Sequence, residues 1–258
     1  VDLGAFGHLV DRPPSGERGL ELEGAVGGAD GGRGEQLVVG ELVEGVLGRG
    51  EPAEEIIAFA ERRKADLIVM GKRGHGLLEK VVVGSETSKV LRGSHVPVLA
   101  AKRDKQFDGG AIEKIIVPVD LSDEAESAFT FALGLAELTG AEVTAVYALR
   151  LDMYAQDIPA GALDIVIRES YSELANTAAK FSRKYEESRG VKLSKPVVTD
   201  VVHGISPALS ISQYAKENDA DLIVINTHGR TGIERFVLGS VTERLIPESP
   251  CSVIALKP

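Results

Sequence analysis

The sequence predicts an α/β fold, with parallel, doubly wound sheet covered by helices, in two copies along one chain. Two observations carry this. Residues 111–257 alternate short β-branched runs with stretches of helical periodicity, and parallel neighbours need crossovers of that kind. The chain also repeats itself: "GKRGHGLLEKVVVGS" at 71–85 returns as "NTHGRTGIERFVLGS" at 226–240. The same five residues precede both, Ala65–Val69 and Ala220–Val224, at an offset of 155. At 258 residues, 43% hydrophobic and 26% charged, the chain has the length and composition for two packed cores.

The second copy, 111–258, is predicted element by element. "IEKIIVPVD" (112–120) suits a buried parallel strand, and Ser122 is a candidate N-cap for the helix that follows. Ala125, Ala128, Phe129, Ala132, Leu133 and Ala136 recur at helical spacing, and Gly140 is placed to end that helix. "AEVTAVYAL" (141–149) is the second strand. Ile167, Tyr171, Leu174, Ala178, Phe181 and Tyr185 form one stripe of a long helix that closes near Gly190. "PVVTDVVHG" (196–204) is the third strand, and Ser206 with Pro207 opens a helix to about Asn218. "ADLIVIN" (220–226) is the fourth strand, the repeated loop follows, and "CSVIALK" (251–257) is the fifth. In such sheets ligands sit beyond the carboxyl ends of the strands where the strand order reverses, so Asp120 and the repeated loop are expected at one crevice.

Sliding back by 155 gives the first copy, 1–103, a third strand near Val43–Leu47, a helix at 51–63, a fourth strand at 65–71, the loop, a helix from about Ser85 and a fifth strand at 96–102. Residues 104–110 are a polar linker. The earlier elements have no counterpart. Residues 1–50 hold 14 of the chain's 29 glycines, and 1–42 are atypical. A long helix is not readable there, because each interior glycine costs about 1 kcal/mol relative to alanine. A flexible arm, a half-domain completed by another chain, and a stretch that departs from the natural coding all stay open.

Both loops read (Gly or Asn)-x-x-Gly-x9-Gly-Ser between a strand and a helix. Glycines let backbone approach a ligand, and a helix N-terminus offers N–H groups and partial positive charge, which together suit an anion. Ser85, Ser240, Thr87 and Thr242 stand where hydroxyls reach phosphate oxygens. The plainer reading, a tight turn with Ser as N-cap, weighs equally from one copy. Neither loop is a Walker A element or a G-x-G-x-x-G dinucleotide fingerprint. Lys72 and Arg73 are charges beside the phosphates or, more simply, solvated loop charges, and His228 receives no catalytic role. His75, His95 and His203 lack metal spacing. Cys251 reads as a small core residue, and Asp66 and Asp221 as turn residues or caps.

With "KIIVPVDLS", "DLIVINTHGRTG", "LGSVTERLI" and "PCSVIALK", the pair of loops resembles the universal stress protein family in tandem, over 111–258 and about 43–103. The resemblance implies adenine-nucleotide-hydrolase-like, Rossmann-like domains with strand order 3-2-1-4-5, association through the last strand, and bound ATP, with or without Mg2+. By position it implies that Asp120 contacts adenosine beside Pro118 and Val119, that Ala148 meets the adenine, and that Ile225, Gly229, Gly239, Ser240, Val241 and Thr242 hold ribose and phosphates. Asn226 departs from the motif's first glycine and is expected to crowd the sugar. Gly71, Gly74, Gly84, Ser85 and Thr87 keep the full motif in the first copy, which lacks the strand for an acidic contact.

The net charge of −10 disfavours sequence-independent nucleic-acid or membrane-surface binding. One cysteine, no spanning apolar run and no signal pattern imply a reducing, cytoplasmic setting. The expected function is an ATP-binding regulatory module of the stress response with little or no turnover. The alternatives are a slow ATPase or autophosphorylating enzyme, and a protein that binds no nucleotide and acts by interaction. An internal pseudo-dimer of the two copies is expected, with a homodimer of chains left open.

Overall fold

Seven strands share one sheet in the computed structural model, which describes residues 45–46, 48–72, 83–102, 111–150, 161–227 and 238–257. The elements are α1 (Pro52–Arg63), β1 (Ile68–Gly71), α2 (Ser85–Gly93), β2 (Val98–Ala101), β3 (Lys114–Pro118), α3 (Glu126–Thr139), β4 (Glu142–Arg150), α4 (Ala162–Arg189), β5 (Val198–Gly204), α5 (Pro207–Glu217), β6 (Leu222–Asn226), α6 (Ser240–Glu248) and β7 (Ser252–Leu256). A 3-10 turn at Asp123–Ala125 leads into α3. The linker at 104–110 lies outside the described residues. So does most of the strand expected at 43–47, of which Gly45 and Val46 are described and are not in a strand.

The strand order is β1-β2-β7-β6-β3-β4-β5. Within the second copy this is 3-2-1-4-5, all parallel, with Ile115 and Ile116 of β3 opposite Leu222 and Ile223 of β6. The two copies join through their last strands. β2 pairs antiparallel with β7, Val98 opposite Ala255 and Ala100 opposite Val253. One sheet therefore carries both copies, parallel everywhere except at that seam.

Helix ends follow local chemistry. α3 and α4 stop at Gly140 and Gly190, at φ of 75° and 65°, where a side chain would be strained. Pro207 occupies the first position of α5, where its missing N–H costs nothing. Ser122 stands at the N-cap of the 3-10 turn that leads into α3, as expected. Its hydroxyl makes no capping bond and donates instead to Asp120 Oδ1 at 2.6 Å.

The helices divide between the two faces. α3 and α4 cover one, with Phe129, Leu133, Leu174 and Phe181 packed on Ile115, Val117, Val143 and Val224. α1, α2, α5 and α6 lie on the other, over Ile116, Val146, Ile223, Val253 and Ala100. In the first copy, no described helix matches α3 or α4. Val69 is consequently 57% exposed, whereas its repeat partner Val224 is fully buried.

Candidate functional site

The chain leaves β3 toward α3 on one face and leaves β6 toward α6 on the other, so the segments that follow these neighbouring strands diverge, the switch point at which such sheets form a ligand crevice. Pro118 ends β3, Val119 is buried behind it, and the half-buried Asp120 stands at the rim. Asp120 Oδ1 accepts from Ser122 Oγ at 2.6 Å and from the Ser122 N–H at 3.2 Å, which fixes the carboxylate. Pro118 pairs with Val146, so two residues further along Ala148 of β4 stands level with Asp120. Ile225 and Asn226 end β6 on the other side, both buried.

The loop's two ends are pinned identically in both copies. The Gly239 N–H donates to Thr227 O at 2.6 Å, and the Gly84 N–H to Lys72 O at 2.9 Å. Thr242 Oγ1 donates to Asn226 O at 2.8 Å, and Thr87 Oγ1 to Gly71 O at 3.0 Å. Both threonines are buried and their hydroxyl protons committed to strand-end carbonyls, which removes those hydroxyls from the expected phosphate donors. Gly74 and Gly229, with Arg73, His75 and His228, lie outside the described residues.

The helix starts correct the plainer reading, in which each serine is the N-cap. Gly239 and Gly84 are the N-caps, and Ser240 and Ser85 are the first helical residues, both exposed. The first intrahelical bonds run from Glu243 N–H to Gly239 O and from Ser88 N–H to Gly84 O. No side chain caps either helix, so among the described residues the N–H groups of Ser240, Val241 and Thr242 have no capping acceptor. That arrangement presents amides and a hydroxyl to an anion.

Asn226 lies differently from its expectation. Its Nδ2 donates to Glu124 O, and its Oδ1 accepts from Ser127 Oγ at 2.8 Å, so the amide is engaged by the start of α3. No pattern in the sequence points to Ser127 or Glu124, which are 99 and 102 positions away.

Lys72 corrects both of its expectations. It is 6% exposed, and Nζ donates to Cys251 O at 2.5 Å and Ser249 O at 3.3 Å, across the seam into the second copy. The antiparallel β2–β7 pairing brings the end of β1 beside the start of β7, and those carbonyls take the ammonium. Cys251 is buried as expected, and burial pushes its thiol pKa up. Asp221 is a cap of a specific kind: its carboxylate accepts from the Glu113 and Lys114 N–H groups at 2.8 and 2.9 Å, fastening β3 to β6. Its repeat partner Asp66 is exposed.

A sequence profile of the universal stress protein family matches residues 7–102 and 111–257. The chain belongs to the universal stress protein family. The match to the first copy begins 36 residues before the 43 expected from the motifs. A universal stress protein of Methanocaldococcus jannaschii is 37% identical over 145 residues, 56% of this chain and 82% of the relative. One of Mycobacterium tuberculosis is 28% identical over 195 residues, and the chain spans 62% of its length. Among solved structures, the crystal structure of a universal stress protein from Archaeoglobus fulgidus matches 81% of this chain and 66% of its own, with a TM-score of 0.52 and 25% identity. A Pseudomonas aeruginosa structure at 22% identity and a TM-score of 0.57 shares the fold. No described helix of this universal stress protein is long and apolar enough to cross a membrane.

Proposed function

We propose that the second copy binds an adenine nucleotide, ATP with or without Mg2+, and acts as a regulatory module with little or no turnover. The observation that carries this is the uncapped N-terminus of α6, Gly239 to Thr242, facing the same crevice as the fixed carboxylate of Asp120. A donor pair such as a ribose diol suits the carboxylate, and a phosphate suits the helix start. Pro118, Val119, Ala148 and Ile225 supply apolar wall between them. Asp120 is assigned to binding, since its Oδ1 already accepts two hydrogen bonds and is held in place as an acceptor. The bound nucleotide would supply the signal, its presence altering what the surface offers a partner.

We also propose that the two copies form an internal pseudo-dimer, supported by the β2–β7 pairing and by the Arg92–Glu243 ion pair at 2.6 Å. A cytoplasmic location accords with the single, buried, unpaired cysteine. The test is to denature purified protein gently and quantify released adenine nucleotide by chromatography, before and after soaking with ATP and magnesium. One nucleotide per chain in the wild type, lost in Gly239→Val, is expected. None after soaking overturns the reading, and recovery as ADP after incubation with ATP moves it to the enzyme alternative.

A further inference from the structure

The motif position that is Gly71 in the first copy and Asn226 in the second is a hub of the crevice. Asn226 is 8% exposed, with both ends of its amide engaged: Nδ2 donates to Glu124 O and Oδ1 accepts from Ser127 Oγ at 2.8 Å. Its main-chain carbonyl accepts from Thr242 Oγ1 at 2.8 Å. One residue thus ties the segment that follows Asp120 to the first turn of α6. Gly71 makes the threonine contact alone, at 3.0 Å to Thr87, and the first copy has no described counterpart of α3 to reach. A buried amide with donor and acceptor both satisfied is a stiff strut, because moving either neighbour leaves a buried polar group without its bond.

We infer that Asn226 is a positioning residue: its side chain sets the separation between the wall carrying Asp120 and the helix start carrying Ser240, and so favours ligands long enough to touch both. This rests on the nucleotide-binding reading and adds a specificity to it. A nucleoside contacts the wall alone and gains nothing from a fixed separation. A nucleoside triphosphate spans wall and helix, and loses affinity when the two move independently. Crowding of the sugar by Asn226 is the rival role, and removal of the side chain would then tighten binding. The two hydrogen bonds that draw the amide toward α3 argue against it.

The experiment is calorimetric titration of the full chain with ATP and with adenosine, for wild type, Asn226→Gly, Ser127→Ala and the double variant, each with its melting temperature. Asn226→Gly is expected to weaken ATP by about tenfold and leave adenosine within about twofold. Ser127→Ala shifts the ATP-to-adenosine ratio the same way by less, and the double variant is no worse than Asn226→Gly, because both act through one contact. If Asn226→Gly does not fold, the ratio in Ser127→Ala carries the test. Equal weakening of both ligands, or tighter ATP, overturns the assignment. A wild type that binds neither ligand overturns the nucleotide reading instead. Hydrogen exchange over 121–130 then tests the strut by itself, and exchange unchanged in both variants overturns the positioning role as well.

Discussion

Lys72 Nζ meets the carbonyl of Ser249, the residue on which α6 ends, so a cation from the first copy sits at the negative end of a second-copy helix. Burying an ammonium is costly unless it is hydrogen-bonded, and here the Cys251 and Ser249 carbonyls accept its hydrogen bonds. Lys72→Met is expected to lower stability by about 2 kcal/mol, the usual worth of hydrogen bonds to a charged group, read as a fall in the urea midpoint. An unchanged midpoint would show that the contact is incidental. Tyr185 offers a pH test. Burial, with the hydrogen bond to Glu137 at 2.7 Å, pushes its phenol up to about 12 from 10.0. A folded pKa above the unfolded one means that its contribution is complete below pH 10.0 and is lost as pH rises toward about 12. The melting temperature of Tyr185→Phe should therefore fall less steeply than that of wild type over this interval. The contacts of Lys72 and Asn226 were not legible in the sequence. Their partners are 177 and 179 positions from Lys72 and 99 and 102 from Asn226, and only the sheet order brings them together.

The elements were far more legible, because a repeat at fixed offset states each element twice. Gly140 and Gly190 were readable as helix ends since only glycine takes left-handed backbone without strain. Gly140→Ala is expected to cost about 1 kcal/mol through backbone strain alone, since a Cβ there meets nothing within 4 Å. A thermal melt checks it, and a neutral result would contradict the left-handed geometry. Strand starts were predicted two residues early at 112, 196 and 220, because apolar character runs past the hydrogen-bonded register. Helix starts were the least legible feature. Glycine and serine are both accepted at an N-cap, so "Gly-Ser" alone does not say which one caps and which presents its hydroxyl. Asp120 needed only the end of a strand, which the alternation of elements located, whereas Gly239 came from the repeated loop and Ala148 from the family resemblance.

On the scale of the molecule, the seam between β2 and β7 buries apolar strand edges, Val98 and Ala100 against Ala255 and Val253. A fragment comprising residues 111–258 would leave the β7 edge unpaired, and an apolar edge recruits another strand. Such a fragment is expected to dimerise in sedimentation experiments, where the full chain has that edge already covered. A monomeric fragment at the same concentration would count against the internal pairing as an association surface. The Arg92–Glu243 ion pair adds little, because both side chains are about half exposed and such pairs are worth about 0–1 kcal/mol. The antiparallel sense of the seam has a further effect. In a parallel sheet every strand ends on the same side, but reversing one copy turns its strand ends round. The anchors of the first loop, Lys72 and Gly84, and those of the second, Thr227 and Gly239, therefore lie at opposite poles of the sheet. Two visitors, one at each pole, would never meet, and news of one could reach the other only through the body of the protein between them.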